Sequence, residues 1–162
     1  MNQVYWLDPL SPGKLLEAML RLLAGDARVA VEGDATTLGL LQLDSIVGAV
    51  RGPVEPFMRE HGLNAAMVVL PLENLEHVRL IHGKLAPSDK VVSGIEAIQL
   101  GRGGSIQFLA GDGFHRECVS VGPLVPVEFL RGLVESGVIA GFYSRAEALK
   151  HFGRSSKILP DR

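Results

Sequence analysis

Glycine clusters divide residues 95–121 into three short runs, and this is the feature that most restricts the fold. Gly101-Arg102-Gly103-Gly104 and Gly111-Asp112-Gly113 separate segments in which apolar residues alternate with polar ones. Glycine reaches positive φ without steric penalty, so such clusters mark turns, and the runs between them have the length and pattern of strands. The prediction is a three-stranded antiparallel meander. If residues 101–104 form the first loop, Leu100 faces Ser105 and Ala97 faces Phe108. One face then carries Ile95, Ala97, Gln99, Ile106, Phe108 and Ala110 and is the expected core face. The other carries Glu96, Ile98, Leu100, Ser105, Gln107 and Leu109, half of them apolar, which fits partial cover by a helix or a partner. A register shift of one residue would exchange the two sets.

Helix and strand signals alternate along the rest of the chain. Residues 3–7 read as a strand. Ser11 followed by Pro12 opens a helix, because proline at the first helical position gives up an N–H that has no helical partner anyway. Leu15, Leu16, Met19, Leu20, Leu22 and Leu23 follow at helical spacing, and Gly25 ends the run. Residues 27–32 form a second strand. Residues 65–70, all apolar, read as a strand buried on both faces. A helix is expected over residues 73–82, closed by Gly83, and a loop over 84–93. Pro126 opens a helix that Gly137 ends, a strand follows over 138–143, and Ser144 with Glu147 is a capping-box pattern at the start of a final helix. Residues 33–56 fit neither period. Their leucines, interrupted by Gly39, Gly48, Gly52 and Pro53, predict short elements packed on the core, with a short helix over 56–61.

These elements predict an α+β fold: a mixed sheet of five to six strands, with the meander at about 95–121 as its antiparallel part and about four helices on it. One domain is expected over 1–153, with 154–162 a mobile tail. The chain of 162 residues is long enough to bury about two-thirds of the surface its unfolded form exposes. Its single cysteine, Cys118, precludes an intrachain disulfide and suits a reducing compartment, so a cytoplasmic location is expected. The amino-terminal residues do not have the pattern of a signal peptide, and no apolar run approaches a membrane span. Sixteen basic against eighteen acidic residues give a net charge of −2, which argues against nucleic acid as a partner. Mean hydropathy is +0.24 and only 21% of residues are charged. Both values fit either an unusually full core or apolar surface covered by another subunit; the second is taken as the expectation, so the expected partner is a second copy of the chain or another protein.

No Walker A loop, dinucleotide-binding glycine motif, nucleophile elbow, H-E-x-x-H or C-x-x-C is present. No cofactor is expected. The densest group of reactive side chains is Asp112, His115, Glu117 and Cys118. His115 and Cys118 have the spacing of a metal-ligand pair. On an extended strand, however, their α-carbons would lie about 10 Å apart with side chains on opposite faces. His115 and Glu117 would share a face, and a carboxylate beside an imidazole can orient it for acid–base work. The plainer reading is a hairpin turn at Asp112-Gly113 with His115 and Glu117 on a solvent face. Glu73 and His77, one helical turn apart, read as a surface pair. His61, His82 and His151 each lie near a glycine at an expected helix end, where a cation favours the helix dipole. Gly101-Arg102-Gly103-Gly104 leads into a strand rather than a helix and reads as a hairpin turn, not a phosphate loop. The chain is thus expected to be a binding or regulatory module acting through protein contacts as a homodimer. The alternative is an enzyme or a small-ligand or metal-binding protein using Asp112, His115, Glu117 and Cys118.

Overall fold

The computed structural model describes residues 3–34, 47–58 and 66–152. The described strands are β1 (Tyr5–Pro9), β2 (Ala27–Gly33), β3 (Ala66–Leu72), β4 (Ile95–Arg102), β5 (Ser105–Ala110), β6 (Val119–Val121) and β7 (Ile139–Tyr143). The described α-helices are α1 (Pro12–Leu23), α2 (Leu75–Leu85), α3 (Val127–Glu135) and α4 (Arg145–Phe152). The fold is α+β, with the strands in one sheet of order β3-β2-β4-β5-β6-β1-β7.

The sheet is antiparallel at each described pairing, not mixed. The reason lies in the helical crossovers. Helix α1 joins β1 to β2, α2 joins β3 to β4, and α3 joins β6 to β7. Each crossover connects strands that run the same way, as expected of such a unit. None of these strand pairs is adjacent, because one or more antiparallel strands lie between them.

The meander forms with a register that differs from the sequence expectation. Leu100 lies opposite Phe108, and Arg102 lies opposite Ser105. The loop is therefore only Gly103-Gly104, with φ of 66° and 82°. Positive φ at both central residues is what a two-residue turn between right-twisted strands requires. Gly101 and Arg102 belong to the strand, and an irregularity at Leu100/Gly101 absorbs the offset. Ile98 and Leu100 consequently join Phe108 and Ala110 on the inner face, while Ala97, Gln99, Gln107 and Leu109 point outward.

That inner face carries the main core. Leu15, Leu16, Met19, Leu20 and Leu23 of α1 are fully buried against it, and Val78, Ile81, Leu85, Leu130 and Leu133 from α2 and α3 complete the layer. Burying each such side chain stabilises the fold by about 1.5–3 kcal/mol. Ser11 precedes α1 and Pro12 opens it as expected, though the serine side chain makes no capping bond. Helix α2 begins two residues later than expected, capped by Asn74, and runs past Gly83 to Leu85, because Leu85 packs into the core. The capping box of α4 is present. Ser144 N donates to Glu147 Oε2 at 2.8 Å and Glu147 N donates to Ser144 Oγ at 3.4 Å.

The residues 65–70 expected to be buried on both faces correspond to β3, which is an edge strand with residues 66–69 half-buried. The short helix expected over 56–61 has no helical residue at 56–58, and 59–61 lie outside the described residues, as do residue 153 and the tail at 154–162. No helix among the described residues is long and apolar enough to cross a membrane.

Candidate functional site

Strands β2 and β3 are adjacent and antiparallel, with Gly33 opposite Ala66. A hairpin connection needs about two to five residues. Residues 34–65 fill this one, far more than a turn needs, and Val47 among them is helical. The described part of the insertion, residues 47–58, contains no strand pairing with the sheet and is largely exposed over 48–54.

Its far end lies on the outer face of the sheet. Strand alternation directs Arg28, Gln99 and Gly101 outward, since Val29, Ile98 and Leu100 point into the core. The Glu55 side chain is fully buried and receives two 2.6 Å hydrogen bonds from Arg28, Nε to Oε2 and Nη2 to Oε1. Such a two-pronged guanidinium–carboxylate contact fixes orientation as well as charge. Burial pushes the Glu55 carboxyl up, but hydrogen bonds from Arg28 and from backbone N–H groups outweigh it and hold the carboxyl below its usual range. The hydrogen bond to Glu55 in turn raises Arg28, against the effect of burial. Gly101 lies opposite Arg28 in the sheet, and a Cβ there would sit 2.6–2.8 Å from the side chain of Glu55. Only glycine leaves room for the carboxylate. Next to this pair, the Gln99 amide grips the backbone of Met58 on both sides. Its Nε2 donates to Met58 O at 2.7 Å, and Met58 N donates to its Oε1 at 3.0 Å. The contact mimics one rung of a β-ladder using a side chain. Gln107, also buried and outward, accepts a 2.9 Å bond from Leu124 N. Over β2, β4 and β5 the outer face thus holds neighbouring chain by hydrogen bonds.

At the other end of the outer face, α4 covers β1 and β7. Trp6, Ala148 and Phe152 form a small separate core, with Tyr143 packed on it. The His151 ring stacks on Tyr143 at 4.2 Å, and His151 Nε2 lies 3.5 Å from Asp8 Oδ2. The sequence expectation of a helix-end role for His151 did not include either partner.

The turn expected at Asp112-Gly113 is present, but residues 115–118 are not extended as the strand argument assumed. A 3-10 turn at Asp112–Phe114 is followed by a second at Arg116–Cys118, which stands where a strand was expected. Asp112, Gly113 and Phe114 are left-handed, and Phe114 is buried beside Phe108 with ring centroids 6.2 Å apart. A bulky residue at positive φ is uncommon, and here the buried ring holds it. Cys118 N donates to His115 O at 2.8 Å, so the chain does turn between His115 and Cys118, and the objection from strand geometry falls. His115 Nδ1 accepts from Glu117 N at 3.4 Å, which makes the histidine a cap of the second turn. Asp112 and His115 are exposed, while Glu117 and Cys118 are half-buried. Arg116 lies over the Phe152 ring at 5.6 Å and ties this segment to the end of α4.

A third group was not visible in the sequence. Glu17, His82 and Asp89 bring one ligand-type atom each within 4.8 Å of one another. Each is already engaged: Glu17 by Arg21 at 3.0 Å, and His82 Nε2 by Gly13 O at 3.1 Å and Asp89 Oδ1 at 3.7 Å. A Cβ at Gly13 would meet Asp89 O at 2.0 Å, so the cluster sits where α1 and the Pro87–Asp89 turn touch backbone to backbone. The group works as a lock between these elements. His77 is local too: its Nδ1 accepts from Glu73 N at 3.2 Å. His61 lies outside the described residues. Compared with protein-family models, with curated proteins and with solved structures, the chain matches none.

Proposed function

We propose that this chain is a small binding or regulatory module that acts through protein contacts, as a homodimer, in a reducing compartment such as the cytoplasm. One observation carries the reading. The chain inserts residues 34–65 into a connection between paired strands that needs only a few, and lays the far end of residues 47–58 on a polar outer face shaped to receive it. Among the described residues of the insertion, Val47 is anchored in the main core, while residues 48–54 are largely exposed. The insertion's use is at the surface. Apolar residues on that surface, Val54 in the insertion and Leu124 near the Gly103-Gly104 turn, are about half exposed and supply area for a contact. Size-exclusion chromatography with light scattering tests the reading. A mass near twice 17.4 kDa is expected, and a strict monomer at tens of micromolar removes the homodimer.

A second reading, a ligand or metal site at Asp112, His115, Glu117 and Cys118, is favoured by the turn between His115 and Cys118. Elemental analysis of the purified protein decides it. Stoichiometric zinc that is lost in a His115→Ala, Cys118→Ala variant supports this reading, and substoichiometric metal in the parent protein counts against its metal form.

A further inference from the structure

We propose that the insertion exchanges between two copies of the chain, so that residues 55–58 of one protomer occupy the outer face of the other. The inference rests on the homodimer reading and names the contact that makes it. The contact between insertion and face is made of separable, complementary parts. Glu55 fits Arg28 by charge and by paired hydrogen bonds, Gly101 clears the space for it, and Gln99 reads the backbone of Met58. None of these contacts depends on which chain supplies the segment, so the same partners are satisfied within one chain or between two. Between Val47, buried in the main core, and Glu55, the backbone makes no hydrogen bond to the sheet among the described residues. Gly48 and Gly52 have φ of 89° and 80° with nothing among the described residues within 4 Å of a would-be Cβ, so the chain changes direction there free of the described sheet. Seven residues separate Met58 from Ala66, and a chain of that length reaches at most about 29 Å. The second face must lie within that distance of Ala66. Strand β3 has no charged residue from Ala66 to Leu72, so an approach of two chains along this edge would meet no like-charge repulsion there.

Charge reversal tests the exchange. In a single Arg28→Glu chain, two carboxylates face each other within the chain, and in a single Glu55→Arg chain two guanidinium groups do. In an exchanged pair of these two variants every contact joins opposite charges. Co-expressed with different tags and weighed by native mass spectrometry, they are expected to form the mixed dimer in at least tenfold excess over either homodimer. The double variant R28E/E55R is expected to fold and to pair with itself. If the double variant folds and the co-expressed singles give no mixed dimer, the segment stays in its own chain and the exchange is overturned. A wild-type dimer without charge-selective mixing overturns the exchange alone, whereas a wild-type monomer overturns the homodimer reading as well. A variant that keeps the ion pair covers the case in which charge reversal prevents folding. Phe57 is replaced by photoreactive benzoylphenylalanine in a mixture of labelled and unlabelled chains. Cross-links joining labelled to unlabelled peptides are expected, and cross-links confined to one label overturn the proposal.

Discussion

The two faces of the sheet are built on different physics. On the inner face, the leucines of α1 and the apolar residues of α2 and α3 meet Val29, Val31, Ile98, Leu100 and Phe108, and the stabilisation comes from removing apolar area from water. On the outer face over β2, β4 and β5, the buried Gln99 and Gln107 and the mostly buried Arg28 hold chain by oriented hydrogen bonds. Apolar packing is tolerant of direction, while a bidentate ion pair and an amide rung each accept one geometry. The inner face therefore sets how stable the molecule is, and the outer face sets what can lie on it.

The contrast can be broken first where it is largest. Phe108→Ala removes a fully buried ring from the inner face and is expected to lose about 3–5 kcal/mol of stability in urea unfolding. Arg28→Met leaves the Glu55 carboxylate buried without its guanidinium, and a loss of about 3 kcal/mol is expected. Adding Glu55→Leu to that variant should restore most of the loss, because no buried charge is then left over. Full additivity of the two substitutions would deny that the pair acts as a unit. Gly101→Ala drives a methyl into Glu55 and is expected to cost about 1–3 kcal/mol while leaving inner-face packing unchanged, as read from aliphatic methyl NMR shifts.

Acid provides a finer probe of the same pair. The Glu55 carboxyl lies below its ordinary 4.5 in the folded protein, so the unfolded chain takes up its proton first as pH falls. The stability it contributes is fully present above about pH 4.5 and is lost as pH falls through the lowered folded value. Glu55→Gln is expected to flatten the acid limb of a stability–pH curve, and an unchanged limb would count against the pairing. The smallest effect is expected at α4, where Ser144→Ala removes one half of the capping box and lowers stability by about 1 kcal/mol.

The sequence made the inner face largely readable and the outer face hardly at all. Helix α1 follows from Pro12 and the leucine spacing, α4 from Ser144 and Glu147, and the meander from its glycines, because each rests on local geometry. The meander register was misread because Gly101 looked like turn and is strand, cleared of a side chain for Glu55 from another part of the chain. That cause is nonlocal and leaves no periodic trace. Gln99 and Arg28 alternate with apolar neighbours in the way solvent-facing residues do, so their burial beneath an insertion was equally hidden. The excess length of that insertion was a usable signal, but only once β2 and β3 were known to be partners. The turn at Asp112-Gly113 was legible from its glycines, but residues 115–118 were read as strand and instead form a second turn, which follows the buried Phe114.

The backbone amide of Met58 reports on the outer face most directly, because it donates to Gln99 Oε1 in a segment with no strand pairing. Native-state hydrogen exchange should find this amide protected in the wild-type protein. In a Gln99→Leu variant it should exchange at least tenfold faster, with the inner-face amides of β2 and β4 unchanged. An amide at Met58 that exchanges at the same rate in both proteins would contradict the account of the outer face as a polar seat for the insertion.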